Sequence, residues 1–253
     1  CPVTPGQPTD APGLPRITVL TGAGISTDSG IPDFRGPQGV WTRNPDAEKL
    51  FTIYNYLEDP EIRRRSWLAR RENPSWGAEP NAGHLALVEL ERRGALRALI
   101  TQNIDRLHLT AGSSPEVVLE IHGNMVDAMC TGCAYRTKTA EVLKLVDAGD
   151  PDPRCPECGS ILKTATVMFG EQLDPDVLEG SVAAAAECDQ FWAIGSTLQV
   201  HPAAGLCDVA LQAGAELVVV NGSETAYDDV AHRVIHDSIS NALPALLMEL
   251  MLS

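Results

Sequence analysis

The chain has 253 residues, enough for one large hydrophobic core or for one core with an inserted module. Hydrophobic residues make up 44% of the sequence, but no apolar run approaches the roughly 20 residues of a membrane-spanning helix, so we expect a cytoplasmic protein without a membrane partner. The formal net charge of −15 argues against direct binding to nucleic acid, because nucleic-acid phosphates attract basic surfaces.

The first predicted elements are a buried strand and a glycine turn. Residues 1–15 are rich in proline and have no apolar signal-peptide core, so we expect a flexible lead-in. The apolar run at 17–20 predicts a strand. Gly22 and Gly24 would let the backbone turn tightly and admit a phosphate to its N–H groups, beside the N-terminus of a helix. Thr27 stands where the dinucleotide fingerprint has a third small residue, so a purely structural turn is the alternative.

The next segment predicts a loop that closes over a ligand. Between two glycines, an acid, an aromatic ring and a guanidinium group stand side by side as Asp33, Phe34 and Arg35. This composition suits a hinged binding loop better than a core element. Residues 38–80 predict a helical module, and we expect its arginines at 63–65 on a solvated face.

Polar side chains then follow a predicted strand. Asn81 is a plausible N-cap for the next helix, and residues 96–101 predict the strand. Gln102, Asn103 and Asp105 come directly after it, and doubly wound folds place ligand contacts at such strand ends. The alternative is that these groups only cap the following helix.

A histidine ends another predicted strand. Residues 117–121 have strand character, and His122 and Gly123 follow them. A lone histidine more often has a structural or solvent-facing role. At the end of a strand, however, His122 would reach a cleft and act as a general base near neutral pH.

The cysteine spacing predicts a zinc site. Four of the seven cysteines form two C-x-x-C pairs, namely Cys130 with Cys133 and Cys155 with Cys158. This arrangement is typical of a zinc ribbon in a reducing compartment. Four thiolates leave no position for an activated water, so the zinc would be structural; a redox pair is the alternative. We expect Cys188 and Cys207 to be buried, inert thiols.

The rest of the chain alternates strands with helices. Predicted strands cover residues 164–169, 190–194, 217–220 and 233–235, and predicted helices cover residues 176–187, 203–213 and 241–252. Such alternation with short connections predicts an α/β fold with a mostly parallel sheet that is covered on both faces.

In this order, the motifs resemble the sirtuin family of NAD-dependent protein deacylases. The resemblance runs from about residue 16 to 240 and rests on the glycine turn, the 30–36 loop, the 101–105 segment, His122-Gly123, the four cysteines and Phe169-Gly170-Glu171. The segments at 37–42 and 122–125 look most like the branch that contains the nuclear and nucleolar animal sirtuins. The short, acidic chain is typical of a bacterial member.

The resemblance implies a fold, a reaction and partners. We expect a Rossmann-like NAD-binding domain from residues 16–37, 81–128 and 165–253, and a smaller module from a helical part at 38–80 and a zinc ribbon at 129–164. The implied reaction removes acetyl or other neutral acyl groups from protein lysine and releases nicotinamide and O-acyl-ADP-ribose. NAD is the co-substrate, one zinc ion is structural, and acylated-lysine proteins are the partners.

Site residues follow from the same resemblance. It implies catalytic roles for His122, Asn103 and Asp105. It implies NAD contacts, some shared with catalysis, for Gly22, Ala23, Gly24, Ser26, Asp33, Phe34, Arg35, Gln102, Asn103, Asp105, Gly195, Ser196, Asn221, Asp237 and Ser238. It implies that Val167, Phe169 and Gly170 line the acyl-lysine tunnel and that Val200 helps to hold the peptide backbone.

The sequence also departs from the family pattern. Arg106 replaces the usual glycine, and its bulk and charge near the cofactor would alter turnover. Ser196-Thr197 replaces Thr-Ser and preserves two hydroxyl groups. No tyrosine precedes an arginine by three residues, as in succinyl-removing relatives, which favours neutral acyl groups. An ADP-ribosyltransferase or NAD glycohydrolase, and a non-catalytic NAD or ADP-ribose sensor, are the alternatives.

Overall fold

The computed structural model describes residues 13–33, 39 and 49–252. Most of the predicted lead-in lies outside these residues, as do Phe34 and Arg35 of the predicted closing loop. None of the helices in the described part of the chain is long and apolar enough to span a membrane.

The described strands form two sheets. A six-stranded sheet has the order β3-β2-β1-β7-β8-β9, and its pairs are parallel, whereas a three-stranded antiparallel sheet has the order β5-β4-β6. The strands are β1 (Ile17–Thr21), β2 (Leu96–Thr101), β3 (Val118–Glu120), β4 (Gly123–Cys130), β5 (Arg136–Lys138), β6 (Leu162–Thr166), β7 (Gln190–Ile194), β8 (Glu216–Val220) and β9 (Arg233–Ile235). The predicted fold class, a mostly parallel sheet with a smaller module, is confirmed.

Helices accompany both sheets. They are α1 (Ile53–Glu58), α2 (Pro60–Arg71), α3 (Ala82–Arg92), α4 (Leu107–Ala111), α5 (Thr139–Asp147), α6 (Pro175–Ala186), α7 (Leu206–Gln212) and α8 (Ile239–Leu252). Asn81 caps α3 as predicted, because its side-chain oxygen accepts a hydrogen bond from Gly83 N–H at 2.9 Å.

The main sheet is buried on both faces. Along β7, Phe191 packs into a core with α6 and α7, while Trp192 packs into a second core with α3 and α8. Leu217 and Val218 of β8 divide between the same two cores. Because successive strand residues point to opposite faces, helices must cover both sides. Cys188 and Cys207 are buried as predicted.

One predicted strand belongs to the other sheet. Residues 164–169 were expected to continue the main sheet, but β6 pairs antiparallel with β4 and ends at Thr166. Beyond that point the backbone has a different partner: Phe169 N–H donates to Phe51 O at 2.8 Å, and Phe169 O accepts from Ile53 N–H at 3.0 Å. The prediction was wrong because residue type indicates a strand but not its partner.

Arg63 corrects the predicted solvated face of α2. Its side chain is 3% exposed and forms hydrogen bonds to both carboxylate oxygens of Asp152 at 2.9 to 3.0 Å. It also donates to Tyr56 O and Leu57 O, each at 3.0 Å. This buried ion pair ties α2 to the loop between the second cysteine pair and α5, whereas Arg64 and Arg65 are exposed.

Candidate functional site

A cavity of about 1280 Å³ lies where the strands of the main sheet end. Gly22, Gln102, Gly195 and Asn221, which follow β1, β2, β7 and β8 directly, all line it. Residues of the small module, such as Thr164 of β6, line it as well. The cavity therefore lies at the carboxyl edge of a parallel sheet, where open α/β folds bind ligands.

Close packing explains the glycines of the first turn. A Cβ atom on Gly22 would lie 2.6 Å from Gly195 O, and one on Gly24 would lie 2.8 Å from Gly195 Cα. The N–H groups of Gly22 and Gly24 donate to Ile194 O and Gly195 O at 2.9 and 2.8 Å. Those two donors are thus committed to the end of β7. The predicted helix is a 3-10 segment, Ala23–Ser29.

Three predicted site residues form one hydrogen-bonded cluster at the cavity. Asn103 Nδ2–H donates to Ser26 Oγ at 3.1 Å, and Ser26 Oγ–H donates to Asp105 Oδ2 at 2.8 Å. Leu107 N–H donates to Asp105 Oδ1 at 2.9 Å. Burial raises the pKa of Asp105, against the opposing effect of these hydrogen bonds. Asp105 therefore binds the first N–H group of α4 and also lines the cavity.

His122 has the hydrogen bond that fixes its tautomer. Its Nδ1 lies 3.2 Å from Gln102 O, and a carbonyl oxygen only accepts, so Nδ1 carries the proton and Nε2 keeps its lone pair. Burial lowers the pKa of His122 below its usual range, against the effect of the Gln102 bond. A neutral imidazole with a bare Nε2 on a cavity wall is a ready general base.

Arg106 turns away from the cavity. Its backbone is left-handed, with φ of +63°, a conformation that glycine adopts with less strain than other residues. The guanidinium group lies 3.0 Å from Glu120 and 2.9 Å from Asp127. Among the described residues that line the cavity, Arg106 does not appear, so its charge is neutralised outside the site.

The segment after β6 forms another wall of the cavity. Val167 N–H donates to His122 O at 2.8 Å, which places the predicted acyl-lysine wall beside the predicted base. Lys163 Nζ binds Thr166 O at 2.7 Å and Glu171 Oε2 at 3.0 Å. Glu171 Oε2 also accepts from Met168 N–H at 2.7 Å, so one partly buried ion pair holds this wall in place.

Most of the predicted site residues meet at this cavity. The lining includes Gly22, Ala23, Gly24, Ser26, Asp33, Gln102, Asn103, Asp105, His122, Val167, Phe169, Gly170, Gly195, Ser196, Val200 and Asn221. Asp237 and Ser238 are not part of the lining, and Ser238 Oγ donates to Asp28 at 3.1 Å instead.

Four charged residues of the cavity lining were not predicted as site residues, namely Arg70, Glu72, Lys163 and Glu171. The guanidinium group of Arg70 reaches Thr164 Oγ1 at 3.3 Å, and burial lowers the pKa of Arg70 to about 10. Arg63, Trp67 and Arg70 share one face of α2 at helical spacing. The helical spacing of Arg70 from Trp67 could have indicated that Arg70 lies on the packed face of α2. The composition of the segment, with its run of arginines, instead predicts a solvent-exposed face.

The four predicted metal ligands converge as expected. The Sγ atoms of Cys130, Cys133, Cys155 and Cys158 lie within 4.8 Å of one another. Two of the separations, 3.5 Å for Cys130 to Cys158 and 3.6 Å for Cys133 to Cys155, fit thiolates about 2.3 Å from a tetrahedral zinc ion. Both are too long for a disulfide bond, and the four cysteines could hold one zinc ion.

Comparisons with known proteins agree with this geometry. The Sir2 family model matches residues 22–202. NAD-dependent protein deacetylase 2 of Streptomyces coelicolor is 56% identical over 93% of this chain and 98% of its own. NAD-dependent protein deacetylase 1 of Pyrobaculum aerophilum is 46% identical over 90% of this chain and 87% of its own.

Solved structures give the same result. A Sir2 structure with a deacetylated p53 peptide and 3'-O-acetyl ADP ribose has a TM-score of 0.86 at 36% identity, covering 94% of each chain. A structure of Sir2Tm bound to a propionylated peptide has a TM-score of 0.83 at 33% identity, covering 95% of each chain. The family model, the relatives and the fold thus agree, and the chain belongs to the Sir2, or sirtuin, family.

Proposed function

We propose that this protein uses NAD to remove acetyl and other neutral acyl groups from protein lysine, releasing nicotinamide and O-acyl-ADP-ribose. The observation that carries the proposal is His122, whose proton is held on Nδ1 by Gln102 O in a cavity shared with the Ser26, Asn103 and Asp105 cluster. The relatives named as NAD-dependent protein deacetylases support the same reaction.

The cavity has the features that an NAD site requires. It lies at the carboxyl ends of four parallel strands, and its volume of about 1280 Å³ exceeds the upper end of common ligand pockets. The residues that would hold NAD are Gly22, Ala23, Gly24, Ser26, Asp33, Gln102, Asn103, Asp105, Gly195, Ser196 and Asn221. When bound, NAD supplies a ribose carbon whose bond to nicotinamide can be broken. Contacts from Phe34, Arg35, Asp237 and Ser238 are part of the same proposal.

The protein's own groups have separate roles in this proposal. His122 Nε2 accepts a proton from a ribose hydroxyl group, because Nδ1 is already protonated. Asp105 is held by Ser26 and Leu107, so its carboxyl group is oriented before the ligand arrives. Asn103 would lie beside the ribose and help to order water. The wall formed by Val167, Phe169 and Gly170 would enclose the acyl-lysine. Val200, which also lines the cavity, would help to hold the peptide backbone.

The proposal also covers the zinc site, the extent of the small module and the cellular location. The four thiolates would hold a structural zinc ion, since none of the coordination positions is left for water. Residues 38–80 and 129–164 form the proposed small module, although β4 and β6 cross its boundaries at 128 and 164.

Zinc ribbons need reduced cysteines, which supports a cytoplasmic location. The net charge of −15 favours basic, acylated protein segments as substrates and disfavours nucleic acid or membrane partners.

A product analysis tests the reaction. The protein is incubated with NAD and matched peptides that carry acetyl, butyryl or succinyl lysine, and products are identified by mass spectrometry. We expect O-acyl-ADP-ribose and free lysine from the two neutral substrates. ADP-ribose attached to protein would indicate an ADP-ribosyltransferase, and NAD that is bound but not consumed would indicate a sensor. A preference for the succinyl peptide, whose carboxylate would pair with Arg70, would overturn the neutral-acyl part of the proposal.

A further inference from the structure

Two buried histidines lie behind the cavity, and neither one lines it. His84 on α3 is 0% exposed and His108 on α4 is 2% exposed. Their ring centroids are 5.0 Å apart. Within the described residues, His84 Nε2 and His108 Nδ1 are buried nitrogens without a hydrogen-bond partner. An unpaired buried polar atom is destabilising, so two of them in adjacent rings call for a physical reason.

The hydrogen bonds of each ring fix its tautomer. Asn81 N–H donates to His84 Nδ1 at 3.3 Å, so the proton of His84 is on Nε2. Thr21 Oγ1–H donates to Thr101 Oγ1 at 2.9 Å, which uses the only proton of that hydroxyl group. Thr21 Oγ1 therefore accepts from His108 Nε2, 2.9 Å away. His108 Nδ1 is left as a bare acceptor, and His84 Nε2–H is a donor without an acceptor.

The two orphan atoms are thus complementary. A direct hydrogen bond from His84 Nε2–H to His108 Nδ1, or one bridging water, would satisfy both of them. Protonation of His108 would put a proton on Nδ1 and set two donors against each other, whereas protonation of His84 would set its Nδ1–H against Asn81 N–H. The donors and acceptors around the two rings therefore match only when both imidazoles are neutral, in agreement with the burial of both residues.

From His108 a chain of hydroxyl groups leads to the cavity. Thr21 at the end of β1 donates to Thr101 at the end of β2. Thr101 Oγ1 also accepts from Asn103 N–H at 3.1 Å. Asn103 then donates to Ser26, and Ser26 donates to Asp105. Thr21, Thr101 and Ser26 are each no more than 3% exposed, so water does not compete for these bonds.

We propose that His108, supported by His84, is a positioning residue that sets the orientation of the Thr21 and Thr101 hydroxyl groups and thereby the place of Asn103. This inference rests on the proposed function only for its kinetic readout. Without the His108 donor, the Thr21 hydroxyl group loses the partner that fixes its direction. The Thr21 and Thr101 hydroxyl groups can then exchange donor and acceptor roles, and Thr101 Oγ1 is no longer a fixed acceptor for Asn103 N–H.

Two matched pairs of variants test this role by kinetics. His108→Leu removes the donor at similar volume, whereas His108→Gln keeps an N–H where Nε2 stands. Thr21→Val breaks the chain, whereas Thr18→Val alters a buried threonine of the same strand whose hydroxyl group donates to Ala184 O at 2.8 Å. We expect His108→Leu and Thr21→Val to lose about tenfold or more in kcat, with a smaller change in the Kd for NAD. His108→Gln should stay within about threefold of the parent.

The control separates positioning from stability. Thr18→Val should lower Tm while leaving kcat of the folded protein unchanged. The proposal is overturned if the folded His108→Leu and Thr21→Val proteins keep the parental kcat. It is also overturned if His108→Gln loses as much as His108→Leu, or if Thr18→Val loses as much as Thr21→Val.

A measurement without turnover separates this inference from the proposed function. Nitrogen-15 NMR of histidine side chains reports the tautomer directly, and we expect His84 and His108 to be neutral with protons on Nε2 at pH 7. In Thr21→Val the His108 resonances should shift, and in Thr18→Val they should not. A proton on His108 Nδ1 would overturn the inference even in an active enzyme. A parent protein that shows these tautomers but no acyl transfer would overturn the proposed function alone.

Discussion

His122 is the residue on which the chemistry depends, and its two ring nitrogens have different tasks. Nδ1 is bonded to Gln102 O, and Nε2 is left as the base. His122→Asn should separate these tasks, because the asparagine amide can still donate to Gln102 O but has no basic nitrogen. We expect turnover to fall about 100-fold to 10,000-fold in both His122→Ala and His122→Asn. The Kd for NAD, measured by calorimetry, should change little, and substantial activity in His122→Asn would show that another group is the base.

The protonation of His122 also predicts a pH profile. Burial lowers its pKa below the ordinary value of about 6.5. Because the base must be neutral, kcat/KM should be constant near pH 7 and should fall only as the pH drops through this lowered pKa. The profile is measured for a neutral acyl peptide at saturating NAD. An acidic limb centred near pH 7.5 would contradict the assignment.

At the scale of elements, the contact between the first turn and the end of β7 is a steric constraint. Gly22→Ala would place Cβ 2.6 Å from Gly195 O and 2.8 Å from Ser196 Cβ. We expect a loss of about 1 to 3 kcal/mol in the free energy of unfolding and weaker NAD binding. Gly77→Ala is the matched control, since its Cβ would meet no atom within 4 Å. Equal effects in the two variants, measured by urea unfolding, would refute the close contact.

The zinc ribbon is a second element with a direct test. Cys155→Ser removes one of the four clustered ligands, so zinc content should fall and Tm should drop as the small module loosens. Cys207→Ala is a suitable control, because this buried thiol lies in the main core and not in the cluster. Metal analysis should find about one zinc per chain in the control and much less in Cys155→Ser. Full zinc occupancy in Cys155→Ser would rule out the four-thiolate site.

Acid should destabilise the region where α3 and α4 meet. Burial lowers the pKa of His84 to about 4 and that of His108 to about 3, compared with about 6.5 in an unfolded chain. The unfolded state binds these protons first, so stability is complete above pH 6.5 and is lost as the pH falls. Each histidine contributes up to about 1.4 kcal/mol per pH unit. His108→Gln should reduce the slope of unfolding free energy between pH 6.5 and 5, and an unchanged slope would contradict these shifts.

In the molecule as a whole, local sequence patterns predicted which residues form strands better than they predicted which strands pair with one another. The bounds expected for β2, β7 and β9 match the structure, because these runs are apolar and end at polar or glycine residues. Residue type also indicated a strand near 164–169, but its pairing with β4 is a long-range contact that no local pattern encodes.

The site residues that directly follow strands of the parallel sheet could be predicted. Those whose role depends on long-range packing could not. Turn residues at successive strand ends must meet at one edge of a parallel sheet, which brought Gly22, Gln102, Gly195 and Asn221 together. The buried position of Arg63 and the cavity-lining position of Arg70 could not be inferred, because a charged helix favours solvent until its partners are known. The pairing of His84 with His108 likewise depends on how α3 and α4 pack.

In the proposed reaction, distant loops form one cavity in which His122 faces the ribose of NAD beside an acyl-lysine. A crystal structure of the protein with an unreactive NAD analogue and an acetyl-lysine peptide tests it most directly. We predict the dinucleotide along the ends of β1, β2, β7 and β8, with His122 Nε2 within about 3.2 Å of a ribose hydroxyl group. Dinucleotide bound elsewhere, or a ribose out of reach of His122, would contradict the account.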